Sequence, residues 1–150
     1  TRPAWLLMLD QGYGRIVNTS SGSGLFGNFG QTNYGAAKMG LVGLTRVLAI
    51  EGARKGIHTN AIAPIAKTRM TEDIMGEAGD AYLPELVTPI VTYLAHESCD
   101  RNGNVYSVGA GKVSRVFIGS TPGIEDPALT AETIAAKIDD IDATDGWQVR

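Results

Sequence analysis

Three side chains able to bind and move a proton lie in the segment GRIVNTSSGSGLFGNFGQTNYGAAK, from Gly14 to Lys38. Ser21 comes first, Tyr34 follows 13 residues later, and Lys38 lies four residues after Tyr34. Residues four apart on a helix share a face, so a helix through this segment sets the Lys38 ammonium beside the Tyr34 phenol. A nearby positive charge favours the ionised phenolate, and a phenol so supported can take and return a proton as a general acid/base. Ser21 follows a short apolar run that reads as a strand. The carboxyl ends of strands are where open α/β sheets meet their ligands, and there the Ser21 hydroxyl can hold a carbonyl or alcohol oxygen next to Tyr34.

Holding these groups together takes a strand, a loop and a helix. Arg15 to Thr19 reads as the strand, bounded by Gly and Ser. Ser20 to Gly30 reads as the loop, and Gln31 to Arg54 as a long helix with Gly56 marking its end. Upstream, residues 3–10 read as an amphipathic helix that stops near Gly12 and Gly14. Downstream come a strand from Ile57 to Ala63 ended by Pro64, a polar loop or short helix from Lys67 to Ala81, and a helix from Pro84 to His96. A last core strand runs from Asn104 to Gly109. Ser114 to Ile118 reads as an added strand, Ser120 to Pro127 as a loop, and Ala131 to Ile141 as a helix capped by Thr130 with an acidic, solvated end at Asp139 to Asp142. The alternation of strand and helix predicts an α/β fold with a doubly wound parallel sheet. The long helix carries apolar residues on more than one stripe: Ala37, Leu41, Leu44 and Leu48 on one, Met39, Val42, Val47 and Ile50 elsewhere. Such a helix is covered on more than one side, which predicts one face on the sheet and the other on a second subunit or, as the alternative, a central helix within a monomer.

Composition narrows the field. With 43% hydrophobic and 19% charged residues the chain is globular, and a net charge of −3 offers no footprint for nucleic acid. No apolar run approaches the ~20 residues of a membrane span. The single cysteine, Cys99, excludes an internal disulfide and suits a reducing compartment, so the expected location is cytoplasmic, or peroxisomal in a eukaryote. His58 and His96 have no partners at metal-ligand spacing, so no metal is expected. Gly22 to Gly27 spell a literal G-x-G-x-x-G. The strand that follows, IHTNAIAP, lacks the acidic residue that would hold a ribose hydroxyl, so this loop is read as shaping a substrate pocket.

In the setting IVNTSS…NYGAAK, Ser21, Tyr34 and Lys38 resemble the catalytic Ser–Tyr–Lys set of the short-chain dehydrogenases/reductases, and NAIAPIAKTRMT (Asn60 to Thr71) resembles that family's next strand and Pro-containing loop. The resemblance implies NAD(P)-dependent interconversion of a secondary alcohol and a ketone. It implies Tyr34 as general base, Lys38 as its support and ribose contact, and Ser21 as the group orienting the substrate oxygen. It also implies cofactor contacts at Tyr34, Lys38, Pro64, Ile65 and Thr68, substrate contacts at Ser21, Gly22 and Phe26, a substrate-covering segment after Lys67, and a homodimer or homotetramer formed through helix 31–54. Ile65 departs from the family's usual Gly after the Pro. The family begins with a strand and a glycine-rich pyrophosphate turn, so residues 1–112 are expected to be the C-terminal portion of a Rossmann-like core whose nucleotide-binding half lies outside this chain. Residues 113–150 are expected to be an extension packed on or beside that core.

The tail narrows the resemblance further. HESC (96–99), NGNVYSVGAGKVSRV (102–116) and PALTAETI (127–134) are similar to the 3-hydroxyacyl-CoA dehydrogenases, also called 17β-hydroxysteroid dehydrogenases, of peroxisomal multifunctional enzymes and their stand-alone bacterial relatives. That implies a 3-hydroxyacyl thioester or a hydroxysteroid as substrate. Two alternatives stand beside it: a 3-oxoacyl-ACP reductase, suggested by NFGQTNY alone, and a non-catalytic fragment acting as an oligomerising or binding domain.

Overall fold

The computed structural model describes residues 1–69 and 71–149; Met70, part of the quoted RMT, lies outside the described residues. The chain divides into two compact units, Thr1–Val116 and Phe117–Arg150.

In the first unit, helix α1 (Arg2–Gln11) leads into strand β1 (Gly14–Thr19), and a short helix α2 (Gly22–Phe26) precedes the long α3 (Thr32–Gly52). A 3-10 turn (Ala53–Lys55) joins α3 to β2 (Ile57–Pro64). Then come α4 (Glu72–Met75), a 3-10 turn at Pro84–Val87 continuing into α5 (Thr88–Ala95), β3 (Val105–Gly109) and β4 (Lys112–Val116). The sheet order is β1-β2-β3-β4, with β1, β2 and β3 parallel and β4 antiparallel. This is the parallel α/β sheet expected from the sequence, with a hairpin added at one edge.

Burial explains the order. β2 is central, and Ile57 and Thr59 to Ala63 are all buried, as a strand covered on both faces requires. On one face Ile62, Leu94, Cys99 and Val108 pack together with Val17, Val87, Ile90 and Val91, which places α5 there. On the other face Val42, Ala61 and Val105 pack with Leu25 and Val116, which places α3 there. The result is a three-layer sandwich. The outer face of α3 stays open in the single chain, with Val47 and Ile50 52% and 78% exposed.

Four element boundaries differ from expectation. The loop after β1 contains α2, because the Ser21 hydroxyl caps it by accepting from Ser23 N–H at 3.2 Å. The helix from Pro84 opens as a 3-10 turn before becoming α-helical at Thr88. The added strand starts at Lys112 rather than Ser114, because a two-residue turn at Ala110-Gly111 folds it straight back along β3. In the second unit the predicted helix is two pieces, α6 (Ala131–Ala136) and α7 (Ile138–Asp142), broken where Lys137 leaves helical geometry at φ −116°. Thr130 caps α6 as its residue type predicts, accepting from Thr133 N–H at 3.1 Å. That unit also contains a two-stranded pairing of β5 (Gly119–Ser120) with β6 (Gln148–Val149) and a stack of Phe117 on Trp147.

Candidate functional site

The carboxyl ends of β1 and β2 open into a cleft of about 570 Å³. Ser21 and Tyr34 line it from one side and Pro64 and Ile65 from the other. Ser21 sits there because β1 ends at Thr19 and Ser20 is tied down, its N–H donating to the Ile62 carbonyl and its buried hydroxyl to the Lys38 carbonyl. Tyr34 lies in the first turn of α3. That turn is opened by Gln31, whose carbonyl accepts from Gly35 N–H at 2.7 Å, and by Asn33, whose side chain accepts from Tyr34 N–H at 2.9 Å. Tyr34 is 44% exposed and its phenol has no hydrogen-bond partner among the described residues, so its proton is open to a ligand.

Lys38 stands one turn further along α3. Its ammonium lies over the Tyr34 ring, 5.6 Å from the centroid, and donates to the Thr19 carbonyl at 2.8 Å. This geometry realises the shared helix face read from the four-residue spacing. The last carbonyl of β1 anchors the ammonium and uses one of its three donors, leaving two for a ligand. Gly24 makes the approach of α2 to α3 possible: a Cβ there would lie 2.8 Å from the Lys38 Cβ and from the Met39 backbone nitrogen. The literal G-x-G-x-x-G is therefore a helix-packing device here. The N–H groups of Gly24 and Leu25 donate to the Ser21 carbonyl and are not presented to a phosphate.

The structure brings Ser21, Gly22, Tyr34, Pro64 and Ile65 to one cleft, with Lys38 directly behind Tyr34. Phe26 and Thr68 do not line it. The Phe26 ring is 73% exposed, and Thr68 instead bonds Thr71 through its N–H at 2.8 Å. Gln31, Thr71 and Met75 line the cleft and were not singled out from sequence. Thr71 and Met75 reach it because the segment from Lys67 is closed on itself: Lys67 N–H donates to the Tyr82 carbonyl at 2.7 Å, and the Lys67 ammonium pairs with Asp80. No local sequence pattern signals that closure.

The donor set suits the nicotinamide–ribose end of a dinucleotide: an ammonium with two open donors, a phenol and a serine hydroxyl for a diol and a substrate oxygen, and an apolar wall of Pro64 and Ile65. One implied contact is restricted. The Ile65 N–H already donates to the Val108 carbonyl at 2.8 Å, so Ile65 can offer a nicotinamide its side chain and carbonyl but not that N–H.

Comparison with known proteins agrees. The family profile "short chain dehydrogenase" matches residues 1–78. A short-chain type dehydrogenase/reductase of Mycobacterium tuberculosis is 50% identical over 150 residues, covering 99% of this chain and 52% of that protein. An acetoacetyl-CoA reductase of Rhizobium meliloti is 59% identical over 64 residues, 43% of this chain and 27% of that protein. The solved structure of full-length peroxisomal multifunctional enzyme type 2 from Drosophila melanogaster superposes with a TM-score of 0.86 at 38% identity, over 99% of this chain and 28% of that one. The chain thus spans about half the length of the mycobacterial relative and less of the others. With its profile match, its parallel sheet and its Tyr34–Lys38 pair at the strand ends, this chain belongs to the short-chain dehydrogenase/reductase family.

Proposed function

We propose that the chain carries the proton-transfer groups of an NAD(P)-dependent oxidoreductase that interconverts the secondary alcohol and ketone of a 3-hydroxyacyl thioester. The observation that carries this reading is the meeting of Ser21 and Tyr34 in one cleft with the Lys38 ammonium over the Tyr34 ring. The thioester is supported by the likeness to the acetoacetyl-CoA reductase and by the tail sequence; a hydroxysteroid ranks second.

In this reading the Ser21 hydroxyl donates to the substrate oxygen, its own acceptor side being held by Ser23 N–H. The Tyr34 oxygen takes the alcohol proton in oxidation and returns it in reduction. The Lys38 ammonium stabilises the phenolate through the transfer, and the Thr19 carbonyl keeps the ammonium in place. A bound nicotinamide supplies hydride acceptance at the carbinol carbon. Pro64 and Ile65 would wall its ring, and Lys38 would reach its ribose. Positioned proton transfer of this kind contributes about 10² to 10⁴ in rate.

The test is turnover of 3-hydroxybutyryl-CoA and of a hydroxysteroid by the full-length protein with NAD and with NADP, for wild type and Tyr34→Phe. Thioester oxidation that vanishes in Tyr34→Phe is expected. Near-normal turnover in the variant, or no oxidation of either alcohol by wild type, overturns the reading.

A further inference from the structure

A second, smaller cleft lies at the other edge of the sheet, in the β3–β4 hairpin. Ser107 stands opposite Ser114 and Gly109 opposite Lys112 in the antiparallel register. Alternate residues of a strand share a face, so the two serines, the glycine and the lysine present one face of the hairpin. They line, with Ile65 and Tyr82, a cleft of about 160 Å³.

The local backbone builds this cleft. Ala110 and Gly111 have φ of 47° and 74°. Positive φ at both central residues is what a tight type I′ hairpin turn demands, and it returns the chain so that Lys112 falls directly across from Gly109. For a non-glycine residue such as Ala110 the left-handed region is disfavoured, so the turn is held against a local preference. At Gly109 a Cβ would lie 3.0 Å from the Ile65 carbonyl oxygen and 3.1 Å from the Tyr82 ring. A side chain there would press on two walls of the cleft at once.

The chemistry is that of an anion site. The Lys112 ammonium has no ion-pair partner among the described residues, and the hydroxyls of Ser107 and Ser114 have no hydrogen-bond partner among them. The position ties the cleft to catalysis. It lies toward the carboxyl end of β3, and Ile65 lines both this cleft and the one that holds Ser21 and Tyr34. Neighbouring strands are about 4.8 Å apart, so Lys112 on β4 stands about two spacings, roughly 10 Å, from the end of β2.

We propose that this cleft is a second subsite of the same active site, in which Lys112, flanked by Ser107 and Ser114, holds a phosphate on the far arm of the substrate. The inference rests on reading the Ser21–Tyr34 cleft as the oxidoreductase site. A free 3-hydroxy acid carries its carboxylate too close to the reacting carbon to reach Lys112. A phosphate-bearing thioester arm spans the gap, with its apolar start against Ile65.

The test compares the affinity of the full-length protein for acetoacetyl-CoA and for the neutral, truncated N-acetylcysteamine thioester, in wild type, Lys112→Ala and Lys112→Arg. Wild type should bind the CoA thioester more tightly than the neutral one. Lys112→Ala should weaken the CoA thioester roughly tenfold, in the range of a hydrogen bond to a charged group. It should leave the neutral thioester, nicotinamide binding and the melting midpoint unchanged, and Lys112→Arg should restore most of the loss. Equal weakening of both thioesters, no change in either, or wild-type binding of the CoA thioester no tighter than the neutral one overturns the subsite. Because the readout is binding, a Tyr34→Phe enzyme that still turns over would sink the oxidoreductase reading and leave this result standing.

Discussion

At the amino end of β2, buried polar groups are matched within the protein. Thr59 N–H donates to the Asn102 side chain at 2.9 Å, and the Asn60 amide donates to the Arg101 carbonyl at 2.8 Å and accepts from Asn104 N–H at 3.1 Å. Asn102 in turn donates to the Ala49 carbonyl at 2.9 Å. The Thr59 hydroxyl is the exception, buried with no partner among the described residues. At the carboxyl end of this eight-residue strand, Tyr34 lines an open cleft, with the Lys38 ammonium over its ring. Both ends are rich in polar side chains. Buried and satisfied, they fix the β2–β3 connection in register; open and unsatisfied, they await a ligand. The groups that hold the fold and the groups of the candidate site thus lie at opposite ends of one strand.

Substitutions at either end test that division. The largest effect after loss of the Tyr34 hydroxyl itself is expected at Lys38→Met, which removes the support of the phenolate. Turnover should fall about 100-fold, read as kcat at saturating substrate, with the fold kept. Next is Asn60→Ala at the opposite end. It leaves the Arg101 carbonyl and the Asn104 N–H unmatched near the buried strand, at a cost of about 2 kcal/mol. Chemical denaturation should show that loss, while kcat per folded molecule stays near wild type. A drop in kcat as large as that of Lys38→Met would mean that the two ends are coupled. The smallest effect is expected at Ala110→Gly, which relieves the left-handed strain of the hairpin turn and should raise stability by up to about 1 kcal/mol, visible as a modest rise in melting midpoint.

The same contrast explains what could be read from the residues alone. The pairing of Tyr34 with Lys38 was legible because a helix converts a four-residue spacing into a shared face, and β2 was legible as a strand ended by Pro64. Helix α2 was hidden, because Gly22 and Gly24 are poor helix formers and the cap that holds it is one serine hydroxyl. The start of β4 was missed by two residues, because Ala110 adopts a conformation its type disfavours. Thr71 and Met75 could not be placed at the cleft, because their position depends on the closure of Lys67 onto Tyr82 and Asp80, a contact between distant residues with no periodic signature. The acidic end of the tail gave no warning of the break at Lys137.

The central claim is that Tyr34 serves chemistry and not the fold. Turnover and melting midpoint of Tyr34→Phe, measured on one preparation of the full-length protein, decide this. A loss of turnover of about 10³-fold or more with an unchanged midpoint is expected, since the phenol has no hydrogen-bond partner among the described residues. Turnover near the wild-type value, or a loss of activity that follows a loss of fold, would contradict it.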